Sequence, residues 1–248
     1  MPLRETEAIV LRTIRLGEAD KIASLLTRQL GRLRGVATGA QRTKSRYGGT
    51  LEPLSYIRLW VFERERRDLL RLNSAEMLES FFDMQRDYRM QVATQYLVEV
   101  LERFLPEREV NERAFRLVLA VLRGMKASRE VTRPLLYFNY WLLRLAGFLP
   151  ELDRCHTCGL MFGETLGYYG AGAEGLACAG CRVPGVQKAI GAKMLVDLER
   201  ACLAPLERWL VADSEPAGCR EARQFYEQLI ESHAETHLVT KKLLAADI

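Results

Sequence analysis

Long apolar runs are missing from this chain. The most apolar stretch, Leu135 to Leu149, is broken by Asn139 and Arg144. It falls short of the roughly 20 residues that a helical membrane span requires. No apolar segment follows Met1-Pro2-Leu3-Arg4-Glu5, so no secretory signal is read there and a cytoplasmic location is expected. Common catalytic signatures are missing too: there is no G-x-x-x-x-G-K-[ST], no G-x-G-x-x-G after a strand and no G-x-S-x-G. Histidine is scarce. His233 and His237 stand i, i+4 in a helical pattern, but Ala234 occupies the place that Glu holds in H-E-x-x-H. The third, His156, lies between two cysteines. With so few acid, base and nucleophile arrangements, the chain is not expected to be an enzyme. Internal repeats and low-complexity tracts are likewise not seen.

What is present is concentrated. Cys155 and Cys158 form one C-x2-C pair and Cys178 and Cys181 a second, with residues 159 to 177 between them. Two residues between cysteines let a tight turn aim both sulfurs at one point, and two such turns complete the tetrahedral four-sulfur shell that zinc accepts. Gly159 follows the first pair and Gly180 lies inside the second, where the turns are expected to need room. The rival readings are two disulfides or a redox C-x-x-C, which a cytosolic compartment disfavours. His156 could replace one thiolate, though four cysteines already fill the shell. Such a shell has no open position, so the zinc reads as structural rather than catalytic. Cys202 and Cys219 lie outside the quartet and read as reduced thiols on helices.

Charge is concentrated as well. The net charge is +4, yet residues 1 to 50 hold ten basic and four acidic side chains. Between Arg28 and Arg46 there are six basic residues and no acidic one. Such a bias is the footprint of a polyanionic partner; the plainer reading is a solvated positive face.

The texture changes near residue 80. Before it lie five short strand patterns: Glu7 to Arg15, Ile22 to Leu26, Gly31 to Thr38, Leu54 to Phe62 and Leu69 to Ser74. Five strands within about 75 residues suggest a small antiparallel barrel, an OB-fold best, with an SH3-like barrel as the alternative. After it the pattern is helical. Asp87 to Leu105 carries an i, i+4 stripe stopped by Pro106. A second helix starts after the N-cap candidate Asn111, with Gly124 as its stop. A third runs from Pro134 to Gly147 and is apolar around most of its circumference, as the centre of a bundle would be. Helix resumes near Gly191, and a last helix is expected from Pro216 to about Leu243. The cysteine segment, rich in glycine and poor in apolar residues, interrupts the helices, and a metal is the expected substitute for a core. The expected architecture is α+β: an OB-fold barrel at 1–80, then a helical bundle at 81–152 and 185–248 with a zinc-binding insertion at 153–184.

Arg32 and Arg34 share one face of their strand by period 2. The following loop adds Arg42, Lys44 and Arg46, with Gly48 and Gly49 to let its backbone approach a ligand. Tyr47, Tyr56 and Trp60 are candidate base-stacking residues, because OB-folds hold single strands by combining cations with aromatic platforms. The plainer reading of Tyr56 and Trp60 is packing against the helical domain.

Several stretches carry a resemblance. Glu7-Ala8-Ile9-Val10-Leu11-Arg12, Gly17-Glu18-Ala19-Asp20-Lys21 and Gly31-Arg32-Leu33-Arg34-Gly35-Val36-Ala37-Thr38-Gly39-Ala40 are followed by Leu51-Glu52-Pro53 and, later, by Leu142-Leu143-Arg144-Leu145-Ala146-Gly147. In this order they resemble the RecO family of DNA repair proteins over essentially the whole chain. The resemblance implies an OB-fold, a helical domain and, as in many members, a four-cysteine zinc segment. It implies a recombination mediator that binds single- and double-stranded DNA and anneals complementary strands. With RecR, and often RecF, such a mediator loads RecA on strands coated by single-strand-binding protein (SSB). The positions matching the family's basic DNA-binding stretch are Arg32, Arg34, Arg42, Lys44 and Arg46. Some members bind the acidic SSB tail through the helical domain; that site cannot be placed on particular residues here. The alternative is a zinc-ribbon protein whose metal segment is itself the contact surface for nucleic acid or a partner.

Overall fold

The computed structural model describes residues 2–62, 69–185, 187–211 and 215–247. The chain divides into two compact units, Met1–Leu119 and Ala120–Ile248. Among the described residues no helix is long and apolar enough to cross a membrane.

The first unit is built on five strands: β1 (Leu3–Leu16), β2 (Asp20–Thr27), β3 (Gly31–Ala37), β4 (Tyr56–Phe62) and β5 (Leu69–Glu79). They close into a barrel in the order β1-β2-β3-β5-β4. All neighbours are antiparallel except β3 and β5, which run parallel. This is an OB-like topology. Strand β1 makes closure possible. Its first half pairs with β4 and its second with β2, and a register shift between Val10 and Arg12 bends it from one partner to the other. Alternation does the rest: Ile57, Leu59 and Val61 are buried while Tyr56, Arg58, Trp60 and Phe62 between them are only half-covered. Inside, Ala8, Val10, Leu25, Leu33, Ile57 and Leu72 form one continuous apolar core.

The β2–β3 turn explains one of the glycines. Thr27 Oγ1 accepts from Leu30 N at 2.9 Å and donates to Gly31 O at 2.7 Å. Gly31 has φ +70°, and a Cβ there would sit 2.3 Å from the carbonyl oxygen of Glu109. Two further helices begin in this unit. In α1 (Tyr88–Phe104), Asp87 caps by accepting from the amides of Arg89 and Met90. In α2 (Glu112–Ser128), Asn111 Oδ1 accepts from Ala114 N at 2.9 Å.

In the second unit, α3 (Thr132–Ala146) is the most deeply buried helix. It ends at Gly147, whose φ of +77° closes the last turn. Around it stand α4 (Ala192–Cys202), α5 (Leu206–Leu210), α6 (Cys219–His233) and α7 (Val239–Asp247). Trp141 Nε1 donates to Cys202 O at 2.8 Å, and the Tyr140 and Tyr226 rings meet edge-on at 6.1 Å. The inserted segment carries a two-stranded ribbon of β6 (Leu166–Tyr169) and β7 (Lys188–Gly191).

Two sequence expectations are corrected. Gly124 does not stop α2. It lies inside the helix, where a Cβ would press on Leu206 at 2.9 Å and Leu210 at 3.0 Å, so the glycine serves close packing rather than a turn. The final helix is two. Glu235 takes φ +48°, and the turn after α6 is held by Leu238 N donating to Glu231 Oε1 at 2.8 Å and by Lys241 on Glu231 Oε2 at 2.6 Å. A chain of pairs to one buried carboxylate outweighs continuous helical propensity.

Gly31 offers a test of the turn. Gly31→Ala combines left-handed strain with a backbone clash and is expected to cost about 3 kcal/mol, lowering Tm by roughly 5–10 °C in a thermal melt. Gly17→Ala, at φ +60° with nothing within 4 Å, carries only the strain and should cost about 1 kcal/mol.

Candidate metal centre and nucleic-acid interface

The four cysteines of the insertion converge: the Sγ atoms of Cys155, Cys158, Cys178 and Cys181 all lie within 4.8 Å of one another. Cys158 and Cys178 are 3.7 Å apart, matching the edge of about 3.8 Å that a tetrahedron of 2.3 Å metal–sulfur bonds requires. All six cysteines are free thiols. Backbone hydrogen bonds build both turns. Gly159 N donates to Cys155 O at 2.9 Å and Cys155 N to Leu160 O at 2.8 Å. In the second turn, Cys181 N and Arg182 N both donate to Cys178 O. His156 N donates to Leu176 O at 2.8 Å and Cys178 N to Cys155 Sγ at 3.3 Å, joining the two turns. Gly159 is required, with φ +73°. Gly180 is not: its φ is not left-handed, and a Cβ there would meet only Cys178 Sγ at 3.9 Å.

The donor set fits a soft divalent cation. Burial pushes the Cys155 thiol up, but the amides of Cys158, Cys178 and Thr157 outweigh it and bring it down to about 6. Cys181, sharing protons with Cys158 and Cys178, is pushed up to about 12. Four sulfurs this close can all ionise only around a cation. The exposed His156 ring lies beside Thr157 Oγ1 at 3.2 Å, outside the sulfur cluster. The other two histidines form no metal pair. The His233 ring stacks on Phe148 at 4.2 Å, while His237 falls in the α6–α7 break with its side chain exposed.

On the barrel, the basic residues separate into two groups. Arg32 is structural. Its Nε donates to Leu105 O at 3.0 Å and its Nη1 pairs with Glu107 at 3.2 Å, fixing the chain after α1 to β3. Arg28 is likewise held between Glu7 and Glu112. Arg34, Arg42, Lys44 and Arg46 are exposed and have no carboxylate partner among the described residues.

The expected open loop after β3 is a stack of turns. Amides of Ala40, Arg42, Ser45, Gly48, Thr50, Glu52 and Ser55 each donate to the carbonyl three residues earlier. Tyr47 anchors the stack, and here the stacking expectation is corrected. The ring is 1% exposed in the barrel core, and its hydroxyl donates to Leu72 O at 2.8 Å. A base cannot reach it; its visible role is to seat Arg46, whose guanidinium lies 5.5 Å from the ring centroid.

Tyr56 packs against Phe115 at 6.2 Å, the plainer reading of that residue, and Trp60 Nε1 donates to Glu5 Oε2 at 3.2 Å. Both project from β4, which the barrel order separates from β3 by β5 on one side and by β1 and β2 on the other. The aromatic residues therefore do not share a strand face with Arg34. Sequence reading missed Arg12. It is exposed, pairs with Glu102 at 3.3 Å, and lines a groove of about 280 Å³ with Ser24, Arg32 and Arg34. Its signal is hairpin register, which the isolated strand pattern does not carry.

An OB-like barrel with a basic edge that has no carboxylate partner among the described residues, in a chain whose helical part carries four cysteines placed to hold a metal, suggests a class of nucleic-acid-binding proteins. The comparisons make the class specific. Residues 1–81 match the model of the recombination protein O N-terminal domain, and residues 85–242 match that of its C-terminal domain. The chain is 39% identical over 243 residues to the DNA repair protein RecO of Koribacter versatilis, covering 98% of both chains. It is 38% identical over 228 residues to the RecO of a Nocardioides strain, covering 90% of this chain and 89% of that one. It is 31% identical over 238 residues to an Anaeromyxobacter RecO, covering 95% of this chain and 93% of that one. The chain belongs to the RecO family of DNA repair proteins.

Thiol titration checks the metal centre. Cys202 and Cys219 are buried at 1% and 0% exposure, and burial pushes both thiols up, Cys219 to about 12. With metal bound, the folded protein should show almost no fast-reacting thiol towards a disulfide reagent at neutral pH. A strong chelator should release four, and unfolding the last two.

Proposed function

We propose that this chain is a non-enzymatic recombination mediator of the cytoplasm. It would bind single- and double-stranded DNA and anneal complementary strands. With RecR, and with RecF where present, it would help load RecA on SSB-coated single strands. The observation that carries this reading is the group of exposed cations Arg34, Arg42, Lys44 and Arg46, without a carboxylate partner among the described residues, on an OB-like barrel of a RecO-family chain. Cations held on an ordered turn stack neutralise phosphates without reading base edges. Affinity then depends steeply on salt and weakly on sequence. Annealing follows the same physics, since screening two backbones lets complementary strands approach. The ion in the four-cysteine site is zinc in this reading, and its role is structural, because four thiolates leave no position for water or substrate.

Replacing Arg42, Lys44 and Arg46 by Ala should weaken duplex binding at every salt concentration. Three lost phosphate contacts should make the slope of log affinity against log salt less negative by about 2 to 3. Annealing rate should fall in parallel. Unchanged affinity and slope would remove this surface from the reading.

A second reading places the contact on the metal segment itself, favoured by the exposed Leu160, Met161 and Val183 near the cysteines. Chelation separates the two. Under the first reading, DNA affinity survives loss of the metal; under the second, it is lost while the barrel stays folded.

A further inference from the structure

Three residues of the barrel's outer face stand in one cross-strand row. Arg12 on β1 lies opposite Ser24 on β2, and Ser24 lies opposite Arg34 on β3. Ala23 and Leu25 fill the barrel, so Ser24 points outward, yet it is 8% exposed and sits at the base of the groove. Its Oγ is buried and has no hydrogen-bond partner among the described residues. A buried hydroxyl without a protein partner is costly unless a group that enters the groove satisfies it, water or a ligand. On either side of it stands a guanidinium, about one strand spacing of 4.8 Å away at the backbone. Arg34 has no ion pair among the described residues, and Arg12 is held only by Glu102 at 3.3 Å, with 58% of its side chain exposed. The next row along the same face is Ile14 opposite Ile22, which gives the groove one apolar wall.

We infer that Arg12, Ser24 and Arg34 form a seat for one nucleic-acid phosphate, with the attached sugar lying on Ile14 and Ile22. This rests on the DNA-binding reading and names where a strand is anchored. Two arginines and a hydroxyl donor lining one groove, beside the carboxylates Glu102 and Glu107, suit a tetrahedral oxyanion that displaces Glu102, and charge-assisted bonds of this kind are the strong ones. The apolar wall favours a nucleotide over a bare ion. Glu102 holds Arg12 in the absence of that phosphate. The carboxylate is a built-in competitor, and the strand must displace it to bind.

The test uses the full chain and a fluorescein-labelled single-stranded oligonucleotide, followed by anisotropy across a salt series, with thermal melts of each variant. Ser24→Ala should weaken binding roughly tenfold while Tm stays level or rises, because removing an unpartnered buried hydroxyl relieves a cost. A purely structural serine would instead lower Tm and leave affinity unchanged. Arg34→Ala should weaken binding and make the salt slope less negative by about 1. Glu102→Gln should tighten binding several-fold. Wild-type binding that none of the three variants changes would overturn the seat and leave the DNA-binding reading standing. No binding by the wild type would overturn both. If inorganic phosphate at constant ionic strength raises Tm, and Ser24→Ala abolishes only that rise while oligonucleotide affinity holds, the seat serves a free anion and the nucleic-acid assignment fails.

Discussion

One bent strand governs the first unit. A sheet of five strands closes only if some strand can pair along both of its edges, and β1 does so by changing partner at the Val10–Arg12 register shift. The proposed binding face depends on that bend. It brings Arg12 opposite Ser24, and the β2–β3 hairpin then carries the row on to Arg34. Closure also fixes the inside. The core is small, so Tyr47 is drawn in from the β3–β4 connection to complete it, and the connection is thereby ordered into stacked turns that hold Arg42, Lys44 and Arg46 outward. Packing and charge display are therefore one constraint.

The insertion solves the opposite problem. It buries only a few apolar side chains, Phe162, Tyr169 and Leu176, with Tyr169 edge-on to Phe225 at 5.0 Å, and its turns are held by backbone hydrogen bonds around sulfur. Four mutually repelling thiolates become stabilising only when a cation sits between them.

Ion pairs sort the cations. A run without acidic residues looks uniformly available in sequence, but the fold supplies carboxylates from distant segments. Glu107 and the Leu105 carbonyl take Arg32, and Glu7 with Glu112 takes Arg28. What remains exposed is a subset, and that subset carries the proposed interface.

Much of this was legible in the chain itself. Period-2 alternation located the strand at Leu54 to Phe62, because a half-buried strand divides its side chains between two faces. Capping chemistry located a helix start at Asn111 and a stop at Gly147, because these signals act within one turn. The C-x2-C pairs announced the sulfur cluster, since its geometry is local to each turn. Where local signals compete with distant partners, the reading failed. Gly124 was expected to end a helix, but it lies inside one, packed close to Leu206 and Leu210. Tyr47 was expected to face a ligand, but the barrel core took its ring. The last helix broke because Glu231 collects partners across the gap. The sequence by itself determined the class of most segments and the two cysteine turns, because those depend on neighbours within a few residues. Only the tertiary structure decided which cations find a carboxylate among the described residues and that Arg12, Ser24 and Arg34 stand in one cross-strand row, because register across strands and the supply of counter-charge come from residues far apart in the chain.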